Sequence, residues 1–177
     1  IPVITALSDL LQRTNAGLVR WATVLGYIAC AGGLMSRVSQ YSYLPLRARI
    51  YLEGDELAQA AVKYLWVETL LDPYYWIRYG VFGLWLLFIA VVALQAARRN
   101  EKTLPAGWAY LSLVGAVLHL AIPISRSGDI VWLHSLAGGL GGFLVAPLWG
   151  IWTGRRLSLL ARTGLEREEG ARSAKPA

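Results

Sequence analysis

His119 and His134 are the only histidines in the chain, and both lie inside long apolar runs. Ionisable groups inside membrane-length apolar segments are costly and usually face the interior of a helix bundle. A neutral imidazole there is a ligand for a haem iron or a similar centre. Between the two runs lies the polar turn Ser125-Arg126-Ser127-Gly128-Asp129. If that turn is centred between Arg126 and Ser127, each histidine stands seven and a half positions from the centre. An antiparallel hairpin then sets both at one depth, roughly 7–8 Å inside the span ends at about 1.5 Å per residue. That geometry suits paired axial ligands of a haem b or a chlorophyll-type pigment, or one ligand each for two such groups. The plainer role is a hydrogen bond to a neighbouring helix, with His119 reaching Ser135 or a carbonyl and His134 reaching Ser112 or Tyr110.

Small residues surround both histidines. Ser112, Gly115, Ala116 and His119 share one helical face, and His134, Gly138, Gly141 and Val145 share another. Gly138 and Gly142 make a small-xxx-small pair suited to close helix contact. The run Gly138–Gly142 follows no strand and precedes no Lys-Ser/Thr, so it is no phosphate loop; a kink is expected beside it at Pro147. Glu68, Asp72, Arg126 and Asp129 read as solvated charges near one surface. Cys30, beside Gly26, Gly32 and Gly33, reads as a packing residue, and a single cysteine excludes an internal disulfide framework. No nucleophile–base pair and no string of carboxylates falls within the apolar runs, which points away from an enzyme and from an ion-coupled transporter.

The elements that hold these residues follow from hydropathy. The chain has 177 residues, 56% hydrophobic and 16% charged, with mean hydropathy +0.46. Soluble domains average about 45–50% apolar and about 25% charged, so the composition excludes disorder and argues against a soluble enzyme. Runs of about 18 or more apolar residues read as membrane spans. Four are present, at about 18–36, 74–97, 106–124 and 130–153. Tryptophans and arginines flank them, including Trp76, Arg78, Trp108, Trp132 and Trp152. The expected fold is all-α, an integral membrane four-helix bundle in one domain, with a basic tail at 154–177.

Between the first two spans an outer segment, 37–73, carries Tyr41, Tyr43, Tyr51, Tyr64 and Trp66. Asp55 is the expected N-cap of an amphipathic helix running from Glu56 to Leu71 and stopped by Asp72-Pro73. Ala58, Ala61, Val62, Leu65 and Trp66 form its apolar face. It is expected to lie flat on the outer leaflet, with a docking surface as the other reading. Ile1-Pro2 is not a translation start, and Ile1–Leu11 reads as the tail of an earlier helix.

The net charge of +6 lies entirely on the side of the termini and the Arg99–Pro105 turn. The positive-inside rule puts that side in the cytoplasm of a bacterial inner membrane. A basic tail without interleaved aromatics does not suggest nucleic acid.

The stretch Phe82–Ile124 holds a span, a short basic turn, Leu-Pro, a Gly-Trp pair and a glycine-containing span; the last span adds a Gly-rich run, Leu-Trp-Gly and a basic stop. Over roughly 82–153 this resembles a group of bacterial multi-span membrane proteins of unknown function. The resemblance implies further spans upstream and carries over no functional residue. The expected function is a small accessory or assembly subunit, packed against other membrane subunits or copies of itself within the lipid bilayer. The alternative is a haem- or (bacterio)chlorophyll-binding subunit for electron transfer or light harvesting, with His119 and His134 as ligands.

Overall fold

Asn15 opens the longest helix. Its side chain accepts the Leu18 N–H at 3.2 Å, satisfying one of the donors that a helix start leaves orphaned. A computed structural model of the protein describes residues 1–64, 72, 74–99 and 104–173, with side chains described for 1–62, 72, 74–99 and 104–163. The helices are α1 (Pro2–Leu11), α2 (Ala16–Glu53), α3 (Glu56–Tyr64), α4 (Val81–Arg98), α5 (Ala106–Ser127), α6 (Val131–Gly139) and α7 (Ala146–Ser173). A π-helical turn, Trp76–Gly80, leads into α4, and another, Leu140–Val145, joins α6 to α7. Four helical stretches are long and apolar enough to cross a membrane: Ala16–Glu53, Trp76–Arg98, Ala106–Ser127 and Val131–Thr163.

The second of these lies at the centre. Trp85, Leu86, Ile89, Val92, Ala93 and Ala96 of α4 are all buried. Its largest interface is with α5, where Gly83 lets the backbones close in. A Cβ on Gly83 would lie 2.8 Å from Leu120 Cγ and 3.1 Å from the Ala116 carbonyl oxygen. The α1 helix is a separate element whose Ile4, Leu7 and Leu11 join the same core beside Val19 and Ala22 of α2.

Three expectations about elements change. The helix of the first span does not end at Arg37: α2 continues through Pro45 to Glu53. A charge ends an apolar run without ending a backbone helix. The stop comes at Gly54, which turns extended (φ −83°, ψ 161°) after donating to Ile50 O. Asp55 caps α3 as expected, accepting the Ala58 N–H at 2.8 Å. The apolar face of α3 turns toward α2, where Ala58, Ala61 and Val62 border an apolar groove with Tyr43, Leu46 and Ile50. Leu65, Trp66, Glu68 and Pro73 lie outside the described residues. Lastly, the irregularity near Pro147 is the π-helical turn preceding it. A proline ring clashes with the carbonyl four residues back, and a wider turn gives that ring room.

Trp108 is no interfacial anchor. It is fully buried, and its Nε1 donates to Thr153 Oγ1 at 2.8 Å. Thr153 Oγ1 donates to Trp149 O at 2.7 Å, Trp149 Nε1 to Ser112 Oγ at 2.7 Å, and Ser112 Oγ to Trp108 O at 3.0 Å. This closed ring of hydrogen bonds ties α5 to α7. Trp132, by contrast, is exposed, as expected of an anchor.

Candidate functional site

The turn between the last two spans sets where each histidine sits. Ser125 and Ser127 remain in α5, their hydroxyls donating to Ile122 O and Pro123 O at 2.7 and 2.9 Å. The chain reverses only at Gly128–Ile130, through Asp129 at φ 51°. The centre of the turn therefore lies near Asp129, beyond the Arg126–Ser127 midpoint read from the sequence. The cross-helix contacts follow that centre. A Cβ on Gly141 would lie 3.8 Å from His119 Cε1, and His134 Nδ1 is 3.5 Å from Ser125 Oγ, at the long limit of a hydrogen bond. The histidines are thus not level. His119 lies beside Gly141, seven positions along the last span from His134, an offset on the order of 10 Å.

Each histidine has its own surroundings. His119 is buried, with Nδ1 2.8 Å from the Gly115 carbonyl oxygen one turn back. Its ring meets Phe82 at 4.9 Å and Tyr79 at 6.1 Å between centroids. The cavity beside it, lined by Leu86, Val145 and Trp149 among others, holds about 20 Å³, room for a single water. Of the partners expected from the sequence, His119 meets a backbone carbonyl, that of Gly115 on its own helix, and not Ser135; His134 meets Ser125 in place of Ser112 or Tyr110.

His134 is half-buried and borders two larger spaces. One, of about 200 Å³, is lined by Tyr75, Arg78, Tyr79, His134, Gly138 and Gly142. The other, of about 70 Å³, has Ser125, Arg126 and Asp129 on its walls. Tyr75 and His134 have ring centroids 6.1 Å apart, and Tyr75 meets Tyr79 edge to face at 5.8 Å. The Arg78 guanidinium lies over the Tyr79 ring at 4.8 Å. It also donates to Ser36 Oγ at 3.3 Å, while the Arg78 N–H donates to Asp72 Oδ2 at 3.0 Å. Asp72 is thus tied to the start of the second span, while Arg126 and Asp129 are exposed at the same end of the bundle, as solvated charges are.

Two backbone features converge here. Among the described residues, Tyr75 (φ 64°) and Asp129 (φ 51°) are the non-glycine positions with positive φ. A left-handed bulky residue costs on the order of 1–3 kcal/mol, and such strain clusters at functional positions. Both π-helical turns also border the larger cavity, Arg78 and Tyr79 from the first and Gly142 from the second.

The small residues divide into two groups. Ser112 and Ala116 are fully buried, and a Cβ on Gly115 would lie 3.2 Å from Leu86 and 3.4 Å from Val145. Gly138 and Gly142 face open space, with nothing within 4 Å of a built Cβ. Their bare backbone borders the cavity, and among the described residues no helix packs on it. Sequence reading took Arg78 for a span-end anchor and passed over Tyr75 and Tyr79; their i, i+3, i+4 spacing on an aromatic span end is the signal that marks all three. Among the described residues no group of three His, Cys, Asp or Glu is placed to hold a metal ion.

A family described as a domain of unknown function, DUF4386, matches residues 1–153. The chain belongs to that family. No curated protein and no solved structure matches it. The DUF4386 match takes in the whole bundle from α1 to Thr153, with both histidines and the cavity, and so extends well beyond the 82–153 likeness read from the sequence.

Proposed function

We propose that this DUF4386 chain is a small, non-catalytic membrane subunit that assembles with a different membrane protein through the second half of α2. The observation that carries the reading is the state of that helix. Its 38 residues span about 57 Å at 1.5 Å per residue, against a hydrocarbon core of about 30 Å. No residue of α2 beyond Ala29 is buried. Met35, Val38, Tyr41, Leu44 and Leu52 are each more than 40% exposed. Contiguous apolar surface of that kind marks an interaction site.

Charge selects the partner. Arg37, Arg47 and Arg49 punctuate the stretch, and no acid falls between Arg37 and Glu53. A symmetric contact between two copies sets the same patch against itself and brings arginine to arginine. A foreign helix with an acidic rim fits better. The same reading puts the chain in a bacterial cytoplasmic membrane with both termini in the cytoplasm, supported by the one-sided net charge of +6.

Photocrosslinking tests this. A benzophenone amino acid replacing Tyr41 or Leu44 in cells is expected to give one discrete adduct with a second protein, and the same probe replacing Val117 on α5 to give none. Adducts confined to lipid, or to a second copy of the chain, would overturn it.

A further inference from the structure

We infer that the cavity between Tyr75, Arg78, Tyr79, His134, Gly138 and Gly142 receives the head group of a membrane quinone, a flat ring carrying two carbonyl oxygens on an apolar tail. Shape is the first argument. Two tyrosine rings wall the space, and the bare backbone of Gly138 and Gly142, four residues apart on one helix, makes its floor with nothing within 4 Å of either Cβ position. A volume of about 200 Å³ falls below the roughly 300–1,000 Å³ of sites that swallow a drug-sized molecule whole. It accommodates a ring, and the remainder of the ligand must lie outside.

Access is the second argument. Gly142 is exposed, and beside it Phe143 and Leu144 are 89% and 53% exposed. The cavity therefore opens sideways at the glycine floor onto the apolar flank of the last span, where a hydrocarbon tail is at home.

Donor chemistry is the third. Arg78 offers only N–H donors, and the tyrosine hydroxyls and a histidine N–H donate as well. Among the described residues no carboxylate lines the cavity, so a ligand rich in acceptors is preferred. The Arg78 guanidinium is held by Ser36 and lies on the Tyr79 ring. The other donors, on Tyr75, Tyr79 and His134, are single, and separate single donors suit two separate carbonyl oxygens better than a phosphate, which favours the bidentate fork of an arginine. The strain at Tyr75, which aims its ring at His134, fits a position held for a ligand.

The test uses the full chain in nanodiscs of phosphatidylcholine and phosphatidylglycerol, irradiated with a photoreactive azido analogue of decyl-ubiquinone. Adducts are expected on peptides bearing Tyr75–Tyr79 or His134–Gly142 and to be competed by unlabelled decyl-ubiquinone. Gly142→Leu, which fills open space without displacing protein atoms, should reduce this labelling at least about tenfold, equivalent to roughly 1.4 kcal/mol. His134→Phe, which keeps a ring and removes the donor, should weaken it as well. Gly150→Leu, also in open space on the same helix line, should leave it unchanged. Labelling spread over the apolar surface and indifferent to Gly142→Leu and His134→Phe would overturn the proposal. So would protection by phosphatidylglycerol instead of by the competing quinone, or a reducible Soret band in the purified protein that His134→Ala abolishes.

Discussion

Gly83→Leu is expected to remove the folded protein from detergent extracts, at a cost of about 3 kcal/mol or more. At this site the backbones of α4 and α5 close in on each other. A Cβ would meet Leu120 Cγ at 2.8 Å, and the Leu120 nitrogen and Ala116 oxygen at 3.1 Å. Two of those three atoms are backbone in a regular helix, so they cannot swing aside as a side-chain end does. The helices would have to separate along the largest interface of the bundle, exposing Leu86 and Ala116, both buried. Unfolding is followed with a thiol-reactive dye, because the single cysteine, Cys30, packs against the core. The control is Gly33→Leu, a position with nothing within 4 Å, expected to stay within about 0.5 kcal/mol of the parent. Equal melting of the two variants would mean that the α4–α5 contact is looser than described.

Trp149→Ala is the second large effect, expected to destabilise by about 3–5 kcal/mol. The indole packs against Trp85 and Trp108, each with ring centroids 5.7 Å away. Its removal leaves a hole between α4, α5 and α7 and strips Ser112 of its donor. Trp149→Phe separates the two contributions. It keeps most of the packing and loses the bond to Ser112, so its expected cost is only about 0.6–1.7 kcal/mol, the range for interhelical hydrogen bonds in membranes. Adding Ser112→Ala to Trp149→Phe should then cost little more, because the bond the serine served is already gone. Fully additive losses would show that the hydrogen-bonded ring does not act as a unit.

How far the sequence disclosed this molecule differs from residue to residue. The four spans are legible because a bilayer demands length and apolarity, and both can be read along a string. Asp55 is legible as a cap because its chemistry is local. Arg37 misled because a charge interrupts hydropathy while the helical hydrogen bonds of α2 run on to Gly54. The π-helical turns were beyond reach, since reading faces at a period of 3.6 assumes the regular helix from which they depart. That assumption also hid Tyr75 and Arg78 as companions of His134.

The histidines show the limit most clearly. Their depth depends on where the chain reverses, and Ser125 and Ser127 read as turn residues. In α5 their hydroxyls bond back to Ile122 and Pro123 carbonyls, keeping the helix going. A shift of the turn by about three residues separates the histidines by about two helical turns. Each is left with its own tyrosine. Of the tryptophan ring only Ser112 was legible, on the small-residue face of its span; that Trp108 faces inward required knowing what α7 brings against it.

The native mass of the assembly decides whether the second half of α2 exists to be covered by another protein. The chain is extracted from its own membrane in mild detergent and weighed intact by mass spectrometry. A complex of fixed stoichiometry with a different chain is expected, reduced to the single chain by Tyr41→Lys with Leu44→Lys while the thermal midpoint of the bundle is unchanged. A mass equal to that of one chain alone, with or without lipid, or a multiple of it, would overturn this reading.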